Sequence, residues 1–100
     1  IDIIKNLLNN KLFKNIKDAN IFKEYEFIEE TDNETKTGII DLMLEYQDHI
    51  DIIDYKLKHI DDKAYINQLN GYKNYIHNLT NKPVNTYLYS ILDKKLFKLD

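Results

Sequence analysis

One hundred residues, 43% of them apolar, make one domain with a modest core. The absence of cysteine excludes disulfides and cysteine-ligated metal centres within the chain, and no apolar run approaches the ~20 residues that a bilayer crossing requires. The formal charge is −3 and all 14 basic residues are lysine, so any contact with nucleic acid must be local or supplied by a larger protein.

Only two Gly and one Pro interrupt the chain, which predicts long regular elements rather than linkers. Ile4, Leu7, Leu8, Leu12 and Ile16 recur at helical spacing and predict an amphipathic helix over residues 2–18. "NIFKEYEFIEE" reads as a strand with Tyr25 and Phe27 on one face and Glu24, Glu26 and Ile28 on the other. After the polar turn "TDNET", "KTGIIDLMLEY" is a second strand, and "QDH" leads tightly into a third, "IDIIDYKL". A second helix follows over about residues 62–80, capped by Asp61 or Asp62, with Tyr65, Leu69, Tyr72, Ile76 and Leu79 along one stripe. Pro83 stops it, and "VNTYLYSIL" and "KKLFKLD" supply a fourth and a short fifth strand. The order α-β-β-β-α-β-(β) predicts a single α/β domain over residues 1–100, a mixed central sheet flanked by helices.

The apolar third strand ends in Asp54-Tyr55-Lys56. Residues two apart in a strand share a face, so the carboxylate and the ammonium face the same way about 6–7 Å apart along the backbone. If the second and third strands pair through the turn at Gln47-Asp48, residues whose numbers sum to about 95 face each other, and Asp41 meets Asp54. Two bare carboxylates so placed repel. A divalent cation between them reverses the sign, and carboxylate, water and phosphate oxygens form the shell that suits Mg²⁺ or Mn²⁺. Lys56 beside them would stabilise charge on a phosphate. The pattern predicts metal-assisted hydrolysis of a phosphodiester.

"GIIDLM", then "IIDYKLK", then "YINQLNGYKNYI" resembles the C-terminal nuclease domain of RecB and AddA, within the PD-(D/E)XK or restriction-endonuclease-like group. The resemblance spans roughly residues 20–95. It implies a restriction-endonuclease-like fold, Asp41 and Asp54 as metal ligands, Lys56 as the catalytic lysine, and Gln68 and Tyr72, with Tyr65 before them, as a helix motif bordering the site. "KEYEF" resembles a segment on the family's first strand, which implies Glu24 as a peripheral acid, with Glu26 an equal candidate and a solvated face the plainer reading of both. The implied function is exonucleolytic DNA cleavage in repair and recombination, on single strands delivered by a helicase domain of the same protein. A chain that begins at Ile1 rather than Met fits a domain excised from such a protein. Three features depart from the family. No histidine occurs in residues 1–20, no cysteine can hold an iron–sulfur cluster, and Leu57 stands where the family carries threonine.

Two other functions compete: a nuclease-like fold kept as a docking module without catalysis, and a small stand-alone nuclease of the same group. Single residues also have plainer readings. An isolated Asp54–Lys56 pair is an exposed ion pair worth less than ~1 kcal/mol. Tyr65 and Tyr72 read equally well as helix-to-sheet packing, His49 as a turn residue, His77 as a surface residue, and Lys94, Lys95 and Lys98 as a solubilising edge. With no spanning segment, a cytoplasmic protein is the default expectation.

Overall fold

The computed structural model describes residues 16–57 and 63–99. Most of the expected first helix and both proposed caps of the second lie outside these residues. Ile16–Asp18, the end of that expected helix, forms a 3-10 turn. Five strands follow in a single sheet: β1 (Asn20–Glu30), β2 (Thr35–Glu45), β3 (Ile50–Lys56), β4 (Val84–Ser90) and β5 (Lys95–Lys98). One helix, α1 (Lys63–Thr80), lies between β3 and β4. The spatial order of the strands equals their chain order. β1–β2, β2–β3 and β4–β5 are antiparallel, whereas β3 and β4 run parallel, as a strand–helix–strand crossover requires. The molecule is thus a small α/β domain with a mixed sheet. No helix among the described residues is long and apolar enough to cross a membrane.

Alternation along β3 decides what the sheet covers. Ile50 and Ile52 join Phe27, Ile40, Met43, Ile76 and Val84 in the layer that includes α1. Ile53 joins Leu42, Leu44, Tyr46, Tyr87 and Tyr89 on the opposite face, with Ile16 against them. Tyr65, Leu69 and Ile76 form the buried stripe of α1, but Leu79 is 60% exposed while Thr80, four residues after Ile76, is half-buried, so the stripe ends on Thr80 rather than Leu79.

The β1–β2 pair holds one irregularity. Residues two apart in a regular strand share a face, yet Ile40 lies in the α1-side cluster and Leu42 in the opposite one. The register is the same on both sides of the break, with Tyr25 opposite Ile40 and Lys23 opposite Leu42, so no residue has been inserted. Glu24, between them, has φ of 50°, in the left-handed region that costs a side-chain-bearing residue about 1–2 kcal/mol. The kink turns both strands over at the level of Glu24 and Asp41.

Gly38 is required by a close approach. A Cβ there would lie 2.6 Å from the Phe27 ring and 2.7 Å from the Tyr72 ring. Neither ring can retreat easily, because Phe27 is stacked on Tyr75 at 4.4 Å and meets Tyr72 edge-on at 5.3 Å. Gly38→Ala is therefore expected to destabilise the domain by about 1–3 kcal/mol, measured by thermal or urea unfolding. An unchanged midpoint would show that the rings yield without cost.

Candidate active site

Asp41, Asp54 and Lys56 come together at the C-terminal end of β3. The β2–β3 ladder runs from Glu45 opposite Ile50 to Leu42 opposite Ile53, the register expected from the turn. Asp41 and Asp54 are the next pair outward, where the regular ladder stops. There the Asp41 carboxylate replaces a backbone acceptor, and the Tyr55 N–H donates to its Oδ2 at 2.9 Å. This bond carries the aspartate across to β3 and brings the Asp41 and Asp54 carboxyls within hydrogen-bonding reach of each other.

Asp54 is the centre of the group. It is 9% exposed, and its Oδ2 accepts the Tyr65 hydroxyl of α1 at 2.7 Å. The Lys56 Nζ lies 3.8 Å from the same oxygen and 4.9 Å from the centre of the Tyr65 ring. Burial, with the hydrogen bond and charge of Asp41 adding to it, pushes the Asp54 carboxyl up to about 6, against the opposing pull of the Tyr65 hydroxyl and Lys56. Burial and the neighbouring Asp54 push the Tyr65 phenol far above its ordinary range, so it remains a donor to the carboxylate. Burial and the Asp41 charge likewise push Tyr55 up to about 12.

The donor chemistry fits a hard divalent cation. Two adjacent carboxyls, one resisting ionisation because it is buried beside the other, gain from a positive charge between them. Among the described residues no group of three or more His, Cys, Asp or Glu side chains stands ready to hold a metal. Asp41 and Asp54 would therefore share it with water and substrate oxygens, as Mg²⁺ sites built on one or two carboxylates do.

The remaining sequence candidates fall beside this centre. Gln68 lies one helical turn beyond Tyr65 and donates through Nε2 to the Tyr72 hydroxyl at 2.8 Å. Both line a cleft between α1 and the β1–β2 hairpin, away from the two aspartates. Glu24 stands at the register position opposite Asp41, with its side chain exposed. Tyr65, which the motif puts at the border of the site and the apolar helical stripe reads as packing, bonds directly to Asp54.

A second polar cluster lies on the face away from α1. Asp51 is 3% exposed and accepts from Asn85 Nδ2 at 3.2 Å, with His49 Nε2 at 3.7 Å. His49 also stacks on Tyr46 at 4.4 Å and contacts Asp48 at 2.7 Å. Burial raises the Asp51 carboxyl, while Asn85 and His49 hold it down. These contacts fasten the β2–β3 turn to β4, so His49 is a turn residue with structural partners. No model of a known protein family matches the chain, and a search of the curated proteins finds no match to it.

Proposed function

We propose that the chain is a metal-dependent deoxyribonuclease domain of the restriction-endonuclease-like kind, the nuclease module of a RecB- or AddA-like helicase-nuclease. The observation that carries this reading is the Asp54 carboxyl, pushed up by burial beside Asp41 while Lys56 and Tyr65 converge on it from the same face. A buried carboxyl set beside a second carboxyl has no value to the fold by itself, and a perturbed carboxyl gathered with a cation is a candidate functional site. The position supports the same reading, because ligands of open α/β sheets bind at the carboxyl ends of parallel strands. The three motifs that carry the resemblance fall on β2, at the end of β3 and on α1, in that order.

In this proposal Asp41 and Asp54 hold Mg²⁺ or Mn²⁺, which when bound lowers the pKa of water and offsets phosphate charge. The Tyr55 amide orients Asp41, and the Tyr65 hydroxyl orients Asp54. Lys56 places its ammonium where charge gathers on the phosphate as a water oxygen bonds to phosphorus and the bond to the leaving oxygen breaks. The net charge of −3 fits delivery of single-stranded DNA by an attached helicase.

The test is cleavage of end-labelled single- and double-stranded DNA in Mg²⁺, Mn²⁺ or EDTA. Wild type is expected to cut only with metal, and Asp41→Asn to lose at least about a hundredfold in rate. A folded wild type that neither cuts nor binds Mn²⁺ in a calorimeter would overturn the nuclease reading and leave a docking module.

A further inference from the structure

The chain has two glycines, and they stand in opposite situations. Gly38 is enforced by the rings packed against it, whereas a Cβ at Gly71 would meet nothing within 4 Å. Gly71 is nonetheless in the middle of the 18-residue helix α1, where glycine is the worst helix former after proline. Internal packing gives no reason for it. The space above it belongs to a cleft of about 330 Å³ between α1 and the β1–β2 hairpin. A missing side chain at such a place allows a ligand to approach the backbone closely.

The lining indicates the ligand's chemistry. Phe27 and Tyr72 give the cleft aromatic surface, and the amides of Asn67 and Gln68 give it donors and acceptors. Lys36 faces Glu29 directly across the β1–β2 ladder, so the charged wall is balanced. A phosphate would find no net positive charge there. A flat, neutral ring with hydrogen-bonding edges fits, and side-chain amides suit the edges of nucleobases. Bases are available to such a pocket in single strands, where they can be splayed out of the stack. The volume lies at the lower end of the range of small-ligand sites.

The cleft adjoins the candidate active site through one helix. Gln68 follows Tyr65 by three residues, about one helical turn or ~5 Å along α1, and Tyr65 is bonded to Asp54. We propose that this cleft receives one unstacked nucleobase of the single-stranded DNA that runs to the candidate site, with Gly71 keeping it open and Asn67 and Gln68 addressing the base edge. This rests on the nuclease reading for its ligand, though not for its geometry.

The experiment compares binding of a short fluorescein-labelled single-stranded oligonucleotide with that of the same strand carrying abasic sites, in EDTA so that nothing is cut. Wild type is expected to prefer the intact strand by about tenfold or more. Gly71→Leu fills the cleft with a good helix former and is expected to melt at or above the wild-type temperature while losing that preference. Gln68→Ala is expected to reduce it. A wild type that binds neither strand, or binds both equally, overturns the proposal, as does a Gly71→Leu variant that discriminates like wild type. Metal-dependent cleavage by wild type reports separately on the nuclease reading. Base-dependent binding without cleavage would keep the cleft and remove the nuclease, while cleavage unaffected by Gly71→Leu, together with unchanged discrimination, would do the reverse.

Discussion

In the absence of metal, Asp54→Asn is expected to be more stable than wild type above pH 6, with the difference vanishing as the pH falls toward 4. The folded carboxyl is raised to about 6 from an ordinary value of 3.8. A raised pKa means that the folded state holds its proton more tightly than the unfolded state does. The associated stability is complete below the ordinary carboxylate range and is lost as the pH climbs through about 6. A difference of about two pKa units corresponds to roughly 3 kcal/mol, or a melting shift on the order of 10 °C for a domain of this size. Asparagine stays neutral and can still accept the Tyr65 hydroxyl, so its profile should be flat in this window. The charged groups facing Asp54 are Asp41 on β2 and Lys56 on β3, with the Tyr65 hydroxyl reaching it from α1. Melting curves between pH 4 and 8 in EDTA decide the matter, and a variant less stable than wild type at pH 8 would contradict it. Adding Mg²⁺ should then raise the wild-type curve far more than the variant's, since a cation stabilises only the state that binds it.

Lys56→Ala is expected to show the opposite division between stability and activity. Its ammonium lies 3.8 Å from Asp54 on a side chain that is 36% exposed, and it sits 4.9 Å above the Tyr65 ring. Exposed ion pairs and cation–π contacts of this kind each contribute only about 1 kcal/mol or less. On the proposed nuclease reading, a unit charge aimed at a developing phosphate charge is worth far more, and its loss should slow cleavage by about 10²–10³-fold. Lys56→Arg keeps the charge but spreads it over a planar fork, and should recover only part of the rate. Parallel measurement of cleavage rate and unfolding midpoint makes the test. A large loss of stability with little change in rate would assign Lys56 to the fold instead.

The sequence was most informative where side chains alternate without exception. The β2–β3 register followed from a short turn and two apolar runs, and it brought Asp41 level with Asp54 as expected. Lys56 shares the face of Asp54 because strand periodicity leaves no other choice. The reversal of β1 and β2 at Glu24 was not legible, since a left-handed glutamate carries no composition signal. The bond from the Tyr55 amide to Asp41 was hidden for a related reason, because it exists only where the ladder fails. Tyr65 reads both as a member of an apolar stripe and as part of the motif bordering the site, and its bond to Asp54 is visible only once α1 lies over β3. The motif puts Gln68 at the border of the site, and the helix turns its amide toward Tyr72 and the cleft. Leu79 shows the limit of periodicity, since spacings of three and four both fit a helix and the buried face continues through Thr80 instead.

Because the sheet is arranged in chain order, no strand has to insert between two others that are already joined. Assembly can proceed by addition at one growing edge. The two hairpins of the meander close over short turns, but β4 reaches β3 only after the whole of α1 has been spanned, and contacts distant in sequence form slowly. Asp41, Asp54 and Lys56 all belong to the early, local part, whereas Tyr65 arrives with the late crossover. A chain halted after the meander would carry the acidic pair without the hydroxyl that orients it. The site thus gains its orienting hydroxyl only when α1 packs over the meander, while its charged groups are held together by β2 and β3 alone.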